Sequence, residues 1–191
     1  MSAGVLVYVV GEPGVGKSTA MAAATAGWAR AALPGQPGRE ALIDPRGYRL
    51  VGVELGRRRP GGFSGTDALP MDATVPACRY LRCGRAADET SLLLGEGARL
   101  GHVRFLAAAA AAGWVVHLVH ILGAELAEQR RVARGNQQDP AWVRGAATRA
   151  ARLASRPPPD VRVHYVDAAD RPADLIAELA GRDPPPPPLK T

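Results

Sequence analysis

The sequence predicts an α/β protein of three layers, α/β/α, built on a mainly parallel sheet of about five strands with a helical lid. Three observations carry this expectation. Short apolar runs alternate with helix-like segments along most of the chain, the pattern of a parallel sheet covered on both faces. The first run, Val5-Leu6-Val7-Tyr8-Val9-Val10, opens directly into the glycine-rich stretch Gly11–Thr19 and then into helix formers. Between about residues 125 and 155, two helical stretches are broken only at Gly135-Asn136-Gln137-Gln138-Asp139. Residues 1–182 are expected to form a single domain, and 183–191 a flexible tail, because the five-proline run Pro184–Pro188 suits neither helix nor sheet.

Taken in order, strand one covers about 4–10, and its helix about Lys17 to Ala32, ending at Pro34-Gly35-Gln36-Pro37-Gly38. Ala41–Asp44 and Tyr48–Leu55 read as strands, the second followed by Arg57-Arg58-Arg59. Pro60 to Met71 is a long glycine-rich loop, of the kind that carries function in compact domains. Asp72 or Thr74 is expected to cap a helix over about Val75–Arg82. Ser91–Leu94 is a short strand ending at Gly95-Glu96-Gly97, and a helix is expected over about Ala98–Gly113. Trp114–Leu122 is a strand, Glu125–Arg134 and Pro140–Ala154 are helices, Val161–Val166 is a strand and Pro172–Ala180 a closing helix.

Bulk properties narrow the function classes. A hydrophobic content of 47% with 22% charged residues fits a soluble globular chain, and no apolar run approaches the ~18 residues of a membrane span. The first strand follows Met1-Ser2-Ala3-Gly4 with no basic residue ahead of it, so a cytoplasmic protein without membrane contact is expected. Cys78 and Cys83 lack the spacing of a metal motif and read as reduced thiols. His117 and His120 fall on opposite faces of one strand, which argues against a shared metal. The net charge of +6 invites a nucleic-acid reading, but Lys17 and Lys190 are the only lysines among 24 basic residues. So strong an arginine and alanine bias reads as genome composition. Against it Lys17 stands out, a compact ammonium suited to phosphate.

The stretch Gly11-Glu12-Pro13-Gly14-Val15-Gly16-Lys17-Ser18-Thr19 matches the phosphate-binding pattern G-x-x-x-x-G-K-[ST], between a strand and a helix as that pattern requires. Gly11, Gly14, Val15, Gly16, Lys17, Ser18 and Thr19 are therefore the expected nucleotide-binding residues. Their backbone N–H groups would cradle phosphate oxygens, and the helix behind them turns its positive end to the same anion. Lys17 would reach the β- and γ-phosphates, and the Ser18 hydroxyl would ligate Mg²⁺. Residues just beyond other strand ends should meet the same crevice. Glu96 fits best, either as a second Mg²⁺ ligand or as the group that takes a proton from an attacking hydroxyl. Asp67, in the glycine-rich loop, is placed to meet an acceptor. Asp44 has the same strand-end logic, but Pro45 and Gly47 favour a plain turn. Arg130, Arg131 and Arg134 before the Gly135 break, with Arg144, Arg149 and Arg152 after it, suggest a lid that closes over the nucleotide. Arg131 and Arg134 are the arginines expected to neutralise charge on a transferring phosphoryl group.

These segments resemble the small P-loop kinases of the nucleoside and nucleotide kinase superfamily, with a closer likeness to compact kinase-like proteins of actinobacteria and their phages. The likeness rests on the phosphate loop, on Gly65–Met71, on Leu94–Leu100 and on Arg131–Gln138 continued through Trp142–Arg149. It implies a P-loop NTPase fold, ATP and Mg²⁺ as cofactors, and a small-molecule acceptor of the nucleoside or nucleotide kind. Related phage kinases also imply DNA carrying a hydroxymethyluracil-like base as a second type of acceptor. The Asp-Arg-Tyr type motif of thymidylate kinases is missing, Gly95-Glu96-Gly97 standing in that region. A nucleotide-hydrolysing switch is the reading from another class, and no Asn-Lys-x-Asp guanine signature supports it.

Overall fold

A computed structural model describes residues 4–58, 64–133, 135 and 138–181. Its strands are β1 Val5–Gly11, β2 Ala29–Leu33, β3 Arg39–Asp44, β4 Arg49–Leu55, β5 Leu92–Glu96, β6 Val115–Leu122 and β7 Val161–Asp167. Its α-helices are α1 Lys17–Ala24, α2 Thr74–Arg82, α3 Arg85–Glu89, α4 Val103–Ala111, α5 Ala124–Ala133, α6 Pro140–Ser155 and α7 Pro172–Leu179. A single 3₁₀ turn, Thr66–Ala68, precedes α2.

All strands join one sheet in the order β2-β3-β4-β5-β1-β6-β7. Strands β4, β5, β1, β6 and β7 run parallel, while β3 is antiparallel to both β2 and β4. The sheet thus has seven strands where the sequence suggests about five, and it is mixed. Strand β1 is apolar throughout because neither of its faces meets water. Leu6, Tyr8 and Val10 join the apolar layer that holds Cys78, Leu81, Phe105, Leu106 and Leu153. Val7 and Val9 join the opposite layer with Met21, Ala24, Ile176 and Ala177. Helices α1 and α7 therefore cover one face, and α2, α4 and α6 the other.

Several expectations need correction. The first helix stops at Ala24, and residues 29–33, expected as its end, form β2 instead. Gly27 takes the left-handed φ of 84°, which turns the chain back so that Ala29–Leu33 can pair with β3. Alanine favours helix by only a few tenths of a kcal/mol over most residues, less than the backbone pairing offered here. The helix expected from Ala98 begins at Val103, and α3 was not expected. The residue before α2 is Ala73, and no side chain caps that helix; the Thr74 hydroxyl instead lies 2.9 Å from His102 Nε2. Asp44 ends a strand that runs against the parallel set, so it lies at the edge opposite the Gly11 end of β1 and only closes a turn onto Arg46.

Helix α6 also departs from a simple lid. Its Ala146, Ala150, Leu153 and Ala154 are buried in the core, so this half is a fixed part of the outer layer. Arg149 and Arg152 point from it to solvent.

Candidate active site

Strand β1 delivers its carboxyl end at Gly11, between β5 and β6, where the chain's connections diverge to either side of the sheet. Ligands of open α/β sheets bind at such a point. The loop that follows wraps a hollow of about 100 Å³ lined by Gly14, Gly16, Lys17, Ser18 and Thr19. Gly14 (φ 89°) is required here twice over, by its backbone and because a Cβ would lie 2.7 Å from the Ala127 carbonyl of α5.

Lys17 donates to the carbonyls of Gly11 and Glu12 at 3.1 and 3.0 Å. Burial lowers its ammonium from the usual lysine range, while Glu96, Asp67 and Glu12 pull the other way. Ser18 Oγ donates to Glu96 Oε1 at 2.7 Å. Glu96 is only 1% exposed, at the end of β5 beside β1. Burial pushes its carboxyl up to about 7, against the hydrogen bond from Ser18 and the charge of Lys17; Asp67 and Glu54 push it further up. The two strand ends thus bring an ammonium, a hydroxyl and a buried carboxylate together.

Residues 64–69, ahead of α2, close on Glu96 from the other side. Thr66 Oγ1 donates to the Glu96 carbonyl at 2.8 Å. The Tyr8 hydroxyl shares its proton between the Gly97 carbonyl (3.0 Å) and Thr66 Oγ1 (2.8 Å). Burial pushes that phenol well up, so it stays a donor. Gly65 packs against the Glu96 side chain so closely that a Cβ would stand 2.4 Å from Oε1. Asp67 Oδ1 accepts from the backbone N–H groups of Ala98 and Arg99 at 2.8 and 3.1 Å. The structure therefore places Asp67 against the turn after β5, with one of its oxygens engaged in holding that turn.

The arginines divide. Arg130 Nη1 donates to the Val15 carbonyl at 2.7 Å and lies against Gly16, where a Cβ would meet it at 2.6 Å. Arg131 donates to the Pro13 carbonyl and pairs with Glu128, with Glu12 Oε2 at 3.8 Å. Both hold the phosphate loop from α5. Arg134 lies outside the described residues. Arg144 lines, with Glu128, Arg131, Val132, Gln138, Pro140 and Val143, a separate hollow of about 240 Å³ between α5 and α6.

The sequence reading missed Tyr8, Gly65 and Thr66, whose roles depend on contacts many residues apart, and it did not single out Arg130 from its neighbours. It also missed Glu54 (1% exposed), although a charged residue at the end of an apolar strand is the same signal that marks Glu96. Of the basic trio, Arg59 lies outside the described residues. Arg58 is partly buried, pairing with Glu54 at 3.0 Å and donating to the Ser18 carbonyl at 3.0 Å.

This loop at a sheet switch point, with a lysine, a hydroxyl and a strand-end carboxylate converging on it, defines a P-loop nucleotide-binding protein of the α/β class. The family model described as P-loop Nucleotide Kinase3 matches residues 2–168, and the chain belongs to that family. No curated protein and no solved structure matches it. Among the described residues, no helix is long and apolar enough to cross a membrane.

Proposed function

We propose that this protein is an ATP-dependent phosphotransferase that moves the γ-phosphoryl group to a hydroxyl or phosphate of a nucleoside- or nucleotide-like small molecule. The observation that carries the reading is the 2.7 Å bond from Ser18 Oγ to the buried Glu96 carboxylate, beside the Lys17 ammonium. A hydroxyl and a carboxylate are hard oxygen donors, the set that suits Mg²⁺, and burial leaves this carboxylate in want of a cation. Ser18 and Glu96 would hold the ion, which when bound neutralises β- and γ-phosphate oxygens.

The remaining work falls to groups of the chain. Lys17 exchanges the Gly11 and Glu12 carbonyls for phosphate oxygens, and the backbone N–H groups of Gly14 to Thr19 cradle the same anion. Arg130 lies against Gly16 and donates to the Val15 carbonyl; this reading prefers it to Arg131, which is committed to Pro13 and Glu128. Asp67 keeps its second oxygen for the acceptor, which enters along the segment of residues 64–69. That segment touches Glu96 through Gly65 and Thr66, so an acceptor there reaches the γ-phosphoryl from the side away from the loop.

The test is ATP turnover with a panel of nucleosides, nucleotides and DNA carrying a hydroxymethylated pyrimidine. Acceptor-dependent ADP release, lost in Lys17→Met, is the expected result. Hydrolysis indifferent to every acceptor would replace this reading with a nucleotide-driven switch.

A further inference from the structure

Helix α1, which presents Lys17 and Ser18, has a weak apolar grip on the sheet. Its eight residues span about 12 Å, and only Ala20, Met21 and Ala24 are buried. Two of these side chains are single methyl groups, which fix neither the roll nor the slide of a helix. It also packs on α7, and two polar attachments reach it from the β2–β4 side of the sheet.

Glu40 of β3 and Glu54 of β4 stand directly opposite each other, a like-charge pairing that sheets avoid. Arg30 of β2 resolves it, with Nη1 3.2 Å from Glu40 Oε2 and Nη2 2.7 Å from Glu54 Oε2. The same Nη2 lies 2.7 Å from Thr25 Oγ1, at the carboxyl end of α1. The other oxygen of Glu54 faces Arg58 Nη2 at 3.0 Å. Arg58 Nη1 in turn donates to the backbone carbonyl of Ser18, in the first turn of α1, at 3.0 Å. One buried carboxylate thus organises two arginines that hold α1 at its two ends.

We infer that Glu54, Arg58 and Arg30 form a clamp that positions α1, and that Arg58 is a positioning residue for the Ser18 hydroxyl. The inference rests on the phosphotransfer reading, and it gives the β2–β3 extension of the sheet a role in the site. Desolvation offsets much of the attraction in a buried ion cluster, so on this inference the role of the cluster is the geometry it fixes rather than the stability it adds. Geometry is what a metal-holding hydroxyl needs: an error of about 1 Å in such a group can cost 10²-fold in rate.

The test compares nucleotide affinity with and without Mg²⁺, by calorimetry with a non-hydrolysable ATP analogue, alongside turnover. Arg58→Met is expected to reduce the Mg²⁺-dependent gain in affinity about tenfold, with a comparable loss of kcat. Affinity measured in EDTA, set by Lys17 and the loop amides, should change less than about threefold. Arg58→Lys, which can donate to one partner at a time, should recover part of the gain. If Arg58→Met fails to fold, Glu54→Gln provides the same readout, since it frees Arg58 while keeping the side chain's shape. A folded variant with an unchanged Mg²⁺-dependent gain overturns the clamp, as does equal loss with and without the ion. Lys17→Met separates the two levels of argument. Retained nucleotide affinity in that variant overturns the triphosphate site itself, whereas lost affinity beside a normal Arg58→Met overturns the clamp alone.

Discussion

Adding one methyl group at Gly65 should disable the site by displacing Glu96, since the nearest atoms to the new Cβ all belong to that side chain. Gly65 has φ 62° and ψ −141°, a conformation that costs a residue with a Cβ of the order of 1–3 kcal/mol. The new Cβ would stand 2.4 Å from Glu96 Oε1, 2.7 Å from Cδ and 2.9 Å from Cγ. Three contacts below 3 Å along one side chain mean that the carboxylate must move as a unit. It cannot move far without cost, because Glu96 is 1% exposed. The movement breaks the 2.7 Å bond from Ser18, worth about 1.5–3 kcal/mol for a hydrogen bond to a charged acceptor. Gly65→Ala should therefore lower stability by roughly 2.5–6 kcal/mol, the sum of these two effects, and reduce kcat about a hundredfold. Lys17 and the loop stay in place, so affinity for ATP in EDTA should survive in protein held well below its melting temperature. Thermal unfolding, calorimetry and a coupled ADP assay make the comparison. A stable Gly65→Ala enzyme with normal turnover would show that the orientation of Glu96 is irrelevant, and the assignment of that carboxylate would fall.

The other predictions concern pH. Burial raises Glu96 to about 7 from an ordinary value near 4.5, so the folded protein binds a proton there that the unfolded chain has already released. Stability from this group is complete below pH 4.5 and is lost as pH rises through 7, by up to about 3 kcal/mol. Glu96→Gln should flatten that decline in urea titrations at pH 5 and pH 8; an identical slope in the variant would refute the buried-carboxyl account. At the other side of the sheet, His117 Nδ1 lies 2.9 Å from His164 Nε2 across β6 and β7. Burial lowers both rings, with Arg162 adding to the effect on each, His164 adding to it on His117, and Glu178 opposing it on His164. Their neutral forms are favoured in the fold, so their stabilisation is full above about pH 6.5 and is lost as pH falls below it. His117→Asn should reduce the drop in melting temperature between pH 7.5 and pH 5.5, leaving the part due to the similarly lowered His102 and His120. No reduction would mean that the pair does not titrate with folding.

What could be read from the sequence was what depends on neighbours in the chain. Gly11–Thr19 is legible because its glycines, lysine and hydroxyl act through local backbone, and Glu96 because it ends an apolar strand between two glycines in a parallel-sheet pattern that turns strand ends toward that loop. The two-sided burial of β1 follows from its unbroken apolar run. Strand β2 was not legible, since Ala29-Arg30-Ala31-Ala32-Leu33 favours helix in isolation and becomes a strand only by pairing with β3. The arginines show the same limit from the other side. Their clustering around Gly135 suggested a lid, yet Arg130 and Arg131 act on carbonyls more than a hundred residues earlier. Meanwhile the apolar stripe Ala146, Ala150, Leu153 and Ala154, visible at helical spacing, already tied half of that lid to the core. Arg58 meets Glu54 four residues away but Ser18 forty residues away, and only the folded sheet reveals the second contact.

On the proposed reading, the electrostatics of the site bind its two ligands to each other. In the protein alone, burial drives Lys17 toward its neutral amine and Glu96 toward its neutral acid. A triphosphate entering by itself would favour the charged form of Lys17 but press Glu96 further toward protonation, since both ligand and carboxylate are anionic. A divalent cation entering by itself would ionise Glu96 but meet the Lys17 ammonium without phosphate between them. Together, the anion sits against Lys17 and the cation against Glu96, and each cancels the repulsion that the other would create. Affinity for the pair should then exceed what either contributes alone. The coupling has its origin in the burial of one ammonium and one carboxylate side by side.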